Sequence, residues 1–284
     1  MSTWRNAPAT VEPVRALVRR PASTAAFDTQ RFAVPEQLRP WFAYLWTVDW
    51  DRRGAEPLTS TVITYPALHL TAEDGDPGEV RHGVVLPATL LHGSGTHVFR
   101  ITLSGTGSVV GARFTPGGFA AWTGVDAAAL TDRAALVGEL LPRFAGTHER
   151  TAGLGPGERA AAFTAGLTEH RAAAPADDDL TELVRRMEQD ATLVRVEQVA
   201  TLSGWSARTL QRRFRANLGV SPKWALARFR LQEAALALEQ DPGVDLSALA
   251  VELGWYDQAH LTNAFRRLLG ETPAQYAARA RPPS

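Results

Sequence analysis

The chain has 284 residues, with 30 basic and 30 acidic side chains that leave it formally neutral, and it contains no cysteine. The length has room for two domains, while neutrality excludes a global field that would draw the whole chain onto a polyanion. Lack of cysteine excludes disulfides and thiolate-bound zinc and fits a reducing compartment.

Taken in chain order, the opening MSTWRNAPATVEPV has no apolar leader core, and no stretch approaches eighteen uncharged apolar residues. A cytoplasmic protein without a membrane partner is expected. Trp46, Val48 and Trp50 alternate with Thr47 and Asp49, the period-two pattern of a strand. Residues 59–70, 83–91, 97–103 and 108–114 also have extended, β-branched character, and Thr115-Pro116-Gly117-Gly118 closes the last. The run SGTGSVVG at 104–111 lacks the GK[ST] ending of a phosphate loop and reads as a hairpin. Residues 130–141 and 156–170 then have helical texture. These elements predict a β-rich module followed by helices.

Chemistry-bearing residues in this half are sparse. His69, His82, His92 and His97 form no H-x-H pair, so they are expected as surface or hydrogen-bonded histidines, and no metal or cofactor is assigned. No G-x-S-x-G elbow occurs, and no catalytic residue is assigned. Trp41, Phe42, Tyr44, Trp46 and Trp50 fall close together; core packing is the first explanation, a stacking wall for a planar effector the second. The stretch EHRAAAPADDD at 169–179 has linker composition. The expected organisation is α+β, with an N-terminal regulatory domain at 1–172, a linker at 173–179 and an all-α domain at 180–284.

The all-α part repeats itself. Val199-Ala200, Gly204-Trp205, Leu210, Phe214-Arg215, Leu218-Gly219 and Pro222 return as Leu249-Ala250, Gly254-Trp255, Leu261, Phe265-Arg266, Leu269-Gly270 and Pro273. The second turn is one residue longer. Such duplication marks a repeated structural unit, and each copy has the order of a helix-turn-helix. A short helix at 196–203 ends at Gly204, and Ser206 can cap a helix from 207 to 218. Leu210, Phe214 and Leu218 recur every four residues as its apolar stripe, leaving Arg208, Gln211, Arg212 and Arg215 off it. In the second copy Asp245 and Asp257 are the caps and Leu261, Phe265 and Leu269 the stripe. Gln258, His260, Asn263 and Arg266 face outward.

Charge placement adds to this. From Gln198 to Gln232 there is no acid, and Arg208, Arg212, Arg213, Arg215, Lys223, Arg228 and Arg230 lie in that span. A local basic stripe engages phosphates and makes binding salt-dependent. Residues 223–240 lack Pro and Gly and predict a stiff helix, of about 27 Å at roughly 1.5 Å per residue. That approaches the ~34 Å between major-groove segments on one face of DNA. A single chain could then place both motifs on an asymmetric site.

Residues 180–279, above all GWSARTLQRRFRANLGVSPK and LGWYDQAHLTNAFRRLLGETPAQY, resemble the DNA-binding domain of the AraC/XylS family of bacterial transcription factors. The resemblance implies seven helices carrying two helix-turn-helix motifs on double-stranded promoter DNA. It most often implies activation, with RNA polymerase as a further partner. Base readers carried over by position are Arg208, Gln211 and Arg212, then Gln258, Ala259, His260 and Asn263; Arg215 and Arg266 fit phosphate clamps better. Asn263 stands where many relatives carry a longer side chain, and Ala259 offers only apolar contact, so the second motif is expected to read fewer bases. VVGARFTPGGFAAWTG resembles the sensory halves of some members. That implies a small-molecule effector, a homodimer contact, or both. The alternatives for this half are a small-molecule-processing β-domain enzyme and a pure dimerisation module.

Overall fold

The computed structural model describes residues 27–62 and 65–280. The opening residues used in the leader argument, and residues 63 and 64 within one expected strand, lie outside them.

The N-terminal half is built on strands β1 (Asp28–Phe32), β2 (Phe42–Asp51), β3 (Leu58–Val62), β4 (His69–Asp74), β5 (Val80–Arg81), β6 (Val84–Val85), β7 (Ala88–His92), β8 (Phe99–Leu103), β9 (Thr106–Phe114) and β10 (Ala134–Leu136). Six of them form one antiparallel sheet in the order β1-β2-β9-β4-β7-β10, while β3 pairs with β8 and β5 with β6. Alternation divides the large sheet. Leu45, Leu70, Ala72, Leu91, Val110 and Ala112 face the main core, shared with Phe119 and Trp122 of α1 (Phe119–Thr123) and Phe163 of α4 (Pro156–Thr168). Two short helices, α2 (Val137–Leu140) and α3 (Thr147–Thr151), lie between these. Arg159 of α4 donates to Asp49 of β2 at 2.6 Å, fixing helix to sheet. The other face packs Trp50 and Val109 against Leu103 of β8, with Trp46 and Val48 at the edge. Gly107 and Gly111 make room there, since a Cβ would lie 2.2 Å from the Trp50 ring and 2.6 Å from the Trp46 ring.

Four expectations are corrected. The extended run 59–70 is two strands on different sheets, β3 and β4. SGTGSVVG is no hairpin: it turns from β8, paired with β3, into β9, which enters the large sheet between β2 and β4. Residues 130–141 are not one helix but the end of a 3-10 turn, strand β10 and α2. The aromatic cluster is no single wall either, because Phe42 joins the main core whereas Trp46 and Trp50 lie on the opposite face.

Residues 173–177 lie against the N-terminal half rather than spanning free space. Ala174 N–H donates to Ala121 O at 2.7 Å, Asp177 N–H to Gly117 O at 3.0 Å, and Trp41 Nε1 to Ala174 O at 3.2 Å. Asp177 then caps α5 (Asp178–Gln189) by accepting from Leu180 N–H.

The remaining helices are α6 (Val196–Ser203), α7 (Ala207–Leu218), α8 (Pro222–Gln240), α9 (Leu246–Glu252), α10 (Gln258–Leu269) and α11 (Pro273–Ala280). They enclose two cores. Leu180, Val184, Met187, Val199, Leu210, Phe214 and Leu218 form the first, and Leu249, Ala250, Leu261, Phe265 and Leu269 belong to the second. Helix α8 serves both, giving Leu226 and Phe229 to the first and Leu231, Ala235 and Leu238 to the second. A helix clamped from two sides is apolar around most of its surface instead of showing one stripe.

Candidate nucleic-acid interface

Each outward helix is set by local chemistry. Ser206 Oγ accepts from Thr209 N–H at 3.2 Å to start α7, and Gly219 at φ 70° ends it. Asp257 accepts from His260 N–H at 2.7 Å to start α10, and Gly270 at φ 77° ends it. With Leu210, Phe214 and Leu218 buried, Arg208, Gln211, Arg212 and Arg215 are exposed together on the opposite side of α7. On α10, Leu261, Ala264, Phe265, Leu268 and Leu269 are buried. Gln258, Ala259, His260, Asn263 and Arg266 are exposed, and all but His260 line a shallow depression with Thr262. Ser247 Oγ donates to Gln258 Oε1 at 3.0 Å, so Gln258 is held against the start of α9. Trp255 is buried and Trp205 half-buried, both in turn packing.

The basic span is thinner than its sequence. Arg228 and Arg230 are each 1% exposed inside α8, and Arg230 donates to Met187 O at 2.7 Å. Burial pushes the Arg228 guanidinium down to about 9. Arg213 forms a forked ion pair with Asp177 and stacks 3.7 Å above the Trp205 ring. Of the cations counted in that span, Arg208, Arg212, Arg215 and Lys223 are exposed.

The turn of the second motif touches the approach to the first: a Cβ on Gly254 would lie 2.5 Å from Val194 Cβ. The N-terminal half reaches the recognition helices at their ends. Thr131 Oγ donates to Gly219 O at 2.6 Å, and a Cβ on Gly270 would lie 3.0 Å from the Arg100 guanidinium and 3.6 Å from Val98. Tyr65 OH donates to Glu188 Oε2 of α5 at 2.7 Å, with the Arg113 guanidinium 3.8 Å over the Tyr65 ring. Burial pushes the Tyr65 hydroxyl up, keeping it the donor. None of these contacts carries a local sequence signal, because each joins segments far apart in the chain.

The four histidines of this half differ in setting. His69 Nδ1 accepts from Trp46 Nε1 at 3.2 Å, and His97 is exposed beside Asp132. His82 and His92, by contrast, converge on buried Glu73. Two strands and a hairpin turn bring these three together, so no H-x-H spacing marks them; the available hint was His69, Thr71 and Glu73 at alternate positions on one strand face.

Residues 199–279 match the model described as a helix-turn-helix domain, and residues 30–135 match a domain of unknown function (DUF6597). An uncharacterized HTH-type transcriptional regulator of Haemophilus influenzae is 33% identical over 96 residues, covering 34% of this chain and 32% of that protein. A putative AraC-like transcription regulator of Streptomyces antibioticus is 33% identical over 81 residues, covering 28% and 26%. The chain thus spans a third or less of the length of these relatives. Among solved structures, a Chromobacterium violaceum transcriptional regulator with an AraC-type DNA-binding domain is similar at 26% identity and TM-score 0.34, over 38% of this chain and 96% of that one. No helix among the described residues is long and apolar enough to cross a membrane. The duplicated motifs, their caps and the match over residues 199–279 together make this part of the chain a helix-turn-helix domain of the AraC type.

Proposed function

We propose that the chain is a sequence-specific transcription regulator that sets α7 and α10 into successive major-groove segments of promoter DNA. In this reading Arg208, Gln211 and Arg212 contact base edges, since Arg to guanine and Gln to adenine are the natural bidentate pairs. Arg215 and Arg266 grip phosphates and set register. Gln258, His260 and Asn263 form the weaker second reader. The spacer α8, of 19 residues, spans about 28 Å, close to one duplex turn. The carrying observation is that every one of these side chains is exposed on a helix whose apolar stripe is buried. Control by the N-terminal domain, through an effector or a dimer contact, is part of the proposal and is supported by the contacts at Gly219, Gly270 and Glu188. Activation through RNA polymerase is a further part of the proposal.

The test is selection of a binding site from random duplexes, then affinity measurements on that site and its single-base variants. Arg212→Ala is expected to lose about 1–3 kcal/mol on the selected site and to relax preference at one base position. Equal weakening on every sequence would reduce Arg212 to a phosphate contact. Failure to bind any duplex in dilute salt would overturn the function itself.

A further inference from the structure

Glu73 is 3% exposed on the face of β4 opposite the main core, and two imidazoles meet it. We propose that Glu73, His82 and His92 form a site for a divalent transition metal of the zinc class. Their donor atoms all lie within 4.8 Å of one another, with His92 Nε2 2.8 Å from Glu73 Oε1 and His82 Nε2 3.8 Å from Glu73 Oε2. Zinc bonds of roughly 2.0–2.2 Å need donors somewhat over 3 Å apart, a spacing reached from here by small side-chain rotations. Two imidazoles and one carboxylate are also the donor set that leaves a coordination position open.

The backbone is arranged to deliver His82. β5 and β6 are joined by the two-residue turn His82-Gly83, both at positive φ, 54° and 77°. Such turns suit the twist of a hairpin but place a side-chain-bearing residue in the left-handed region, which few residues other than glycine adopt. Here that conformation coincides with an imidazole folded back over the sheet, its ring edge-on to His92 at 4.8 Å. Unusual backbone of this kind gathers at binding sites.

The surrounding groups orient the donors. Arg81 Nη1 donates to Glu73 Oε2 at 3.2 Å while its Nη2 holds Glu79 at 2.6 Å, which leaves Glu73 Oε1 turned toward His92. Thr71 Oγ1 donates to that same Oε1 at 2.9 Å. Hydrogen bonds behind a ligating carboxylate are a recurrent feature of metal sites. Glu73 and Glu79 against Arg81 and a dication leave the site net positive, and the open position therefore suits water or an anionic donor.

The rival reading is a closed ion network that needs no metal, and the test separates the two. Full-length protein, stripped with a chelator, is titrated with Zn2+ by calorimetry and with Co2+ by visible absorption. Stoichiometric binding and the absorption of four- or five-coordinate cobalt are expected. His82→Gly is the informative variant, because glycine takes positive φ readily, so the hairpin survives while the imidazole goes. Its affinity is expected to fall at least about tenfold, the scale of losses around metal ligands. Glu73→Gln should abolish the cobalt band, with circular dichroism verifying the fold. Absence of stoichiometric binding in folded wild-type protein, or undiminished affinity in His82→Gly, overturns the site.

Discussion

Two glycines of the first motif, each replaced by alanine, separate local strain from domain docking. Gly204 ends α6 at φ 68°, and no heavy atom lies within 4 Å of where its Cβ would stand. Gly219 ends α7 at φ 70°, but there a Cβ would sit 2.7 Å from Thr131 Oγ1 and 2.8 Å from the Ala127 carbonyl oxygen. Both substitutions carry the left-handed penalty of an L residue, roughly 1–2 kcal/mol. Only Gly219→Ala must also displace a backbone oxygen, which costs about 1–3 kcal/mol on the scale of overpacking. It further breaks the 2.6 Å bond from Thr131 to Gly219 O, worth about 1 kcal/mol. The expected losses are therefore about 1–2 kcal/mol for Gly204→Ala and about 3–6 kcal/mol for Gly219→Ala. Calorimetric melting of the full chain adds a qualitative sign. Gly204→Ala should shift the melt without changing its shape, whereas Gly219→Ala should split off the helical domain as a separate transition. Equal losses with unchanged melt shape would refute the idea that residues 127–131 hold the end of α7 in place.

The other expectations are simpler. Asp177→Asn keeps an acceptor for the α5 cap but loses the ion pair to Arg213, so chemical denaturation should show a smaller loss than for Asp177→Ala, which also forfeits a cap worth about 0.5–2 kcal/mol. Arg215→Ala should weaken all duplexes alike and reduce the slope of log affinity against log salt by about 1, with base preference intact in the same binding series. If metal at Glu73, His82 and His92 changes operator affinity by some factor, operator DNA must change metal affinity by that same factor. A factor of one in both titrations would exclude linkage between the two sites.

Legibility in the sequence followed the range of the interactions. Ser206, Asp245 and Asp257 cap helices through hydrogen bonds to backbone two or three residues on, so α7, α9 and α10 could be placed from sequence alone. The exposed faces of α7 and α10 followed from the same periodicity. β10 could not be read: Ala134-Ala135-Leu136 has helical composition and is extended because it pairs with His92, Leu91 and Leu90 of β7. SGTGSVVG misled for a similar reason, since strand partners are chosen across the fold and its two flanks belong to different sheets. Arg228 and Arg230 looked like phosphate contacts until α8 was seen clamped between two cores. Glu73, His82 and His92 come from two strands and a hairpin turn, a convergence that no spacing rule encodes.

The places where the two halves meet constrain how control could work. If the N-terminal half acted by masking the DNA-binding face, some of Arg208, Gln211, Arg212, Gln258, His260 or Asn263 would be buried in the docked arrangement, and all are exposed. The contacts fall instead at the Gly219 and Gly270 caps and at Glu188 of α5, behind the reading faces. A movement there would tilt one recognition helix against the other. Two features oppose that tilt: α8 is shared by both cores, and Gly254 packs against Val194. The relative setting of the helices is thus stiff. If α7 and α10 enter successive grooves as proposed, a stiff pair is sensitive to small rotations, because a tilt that seats one helix lifts the other from its groove. If the N-terminal half controls DNA binding as proposed, this arrangement favours control by aim over control by occlusion.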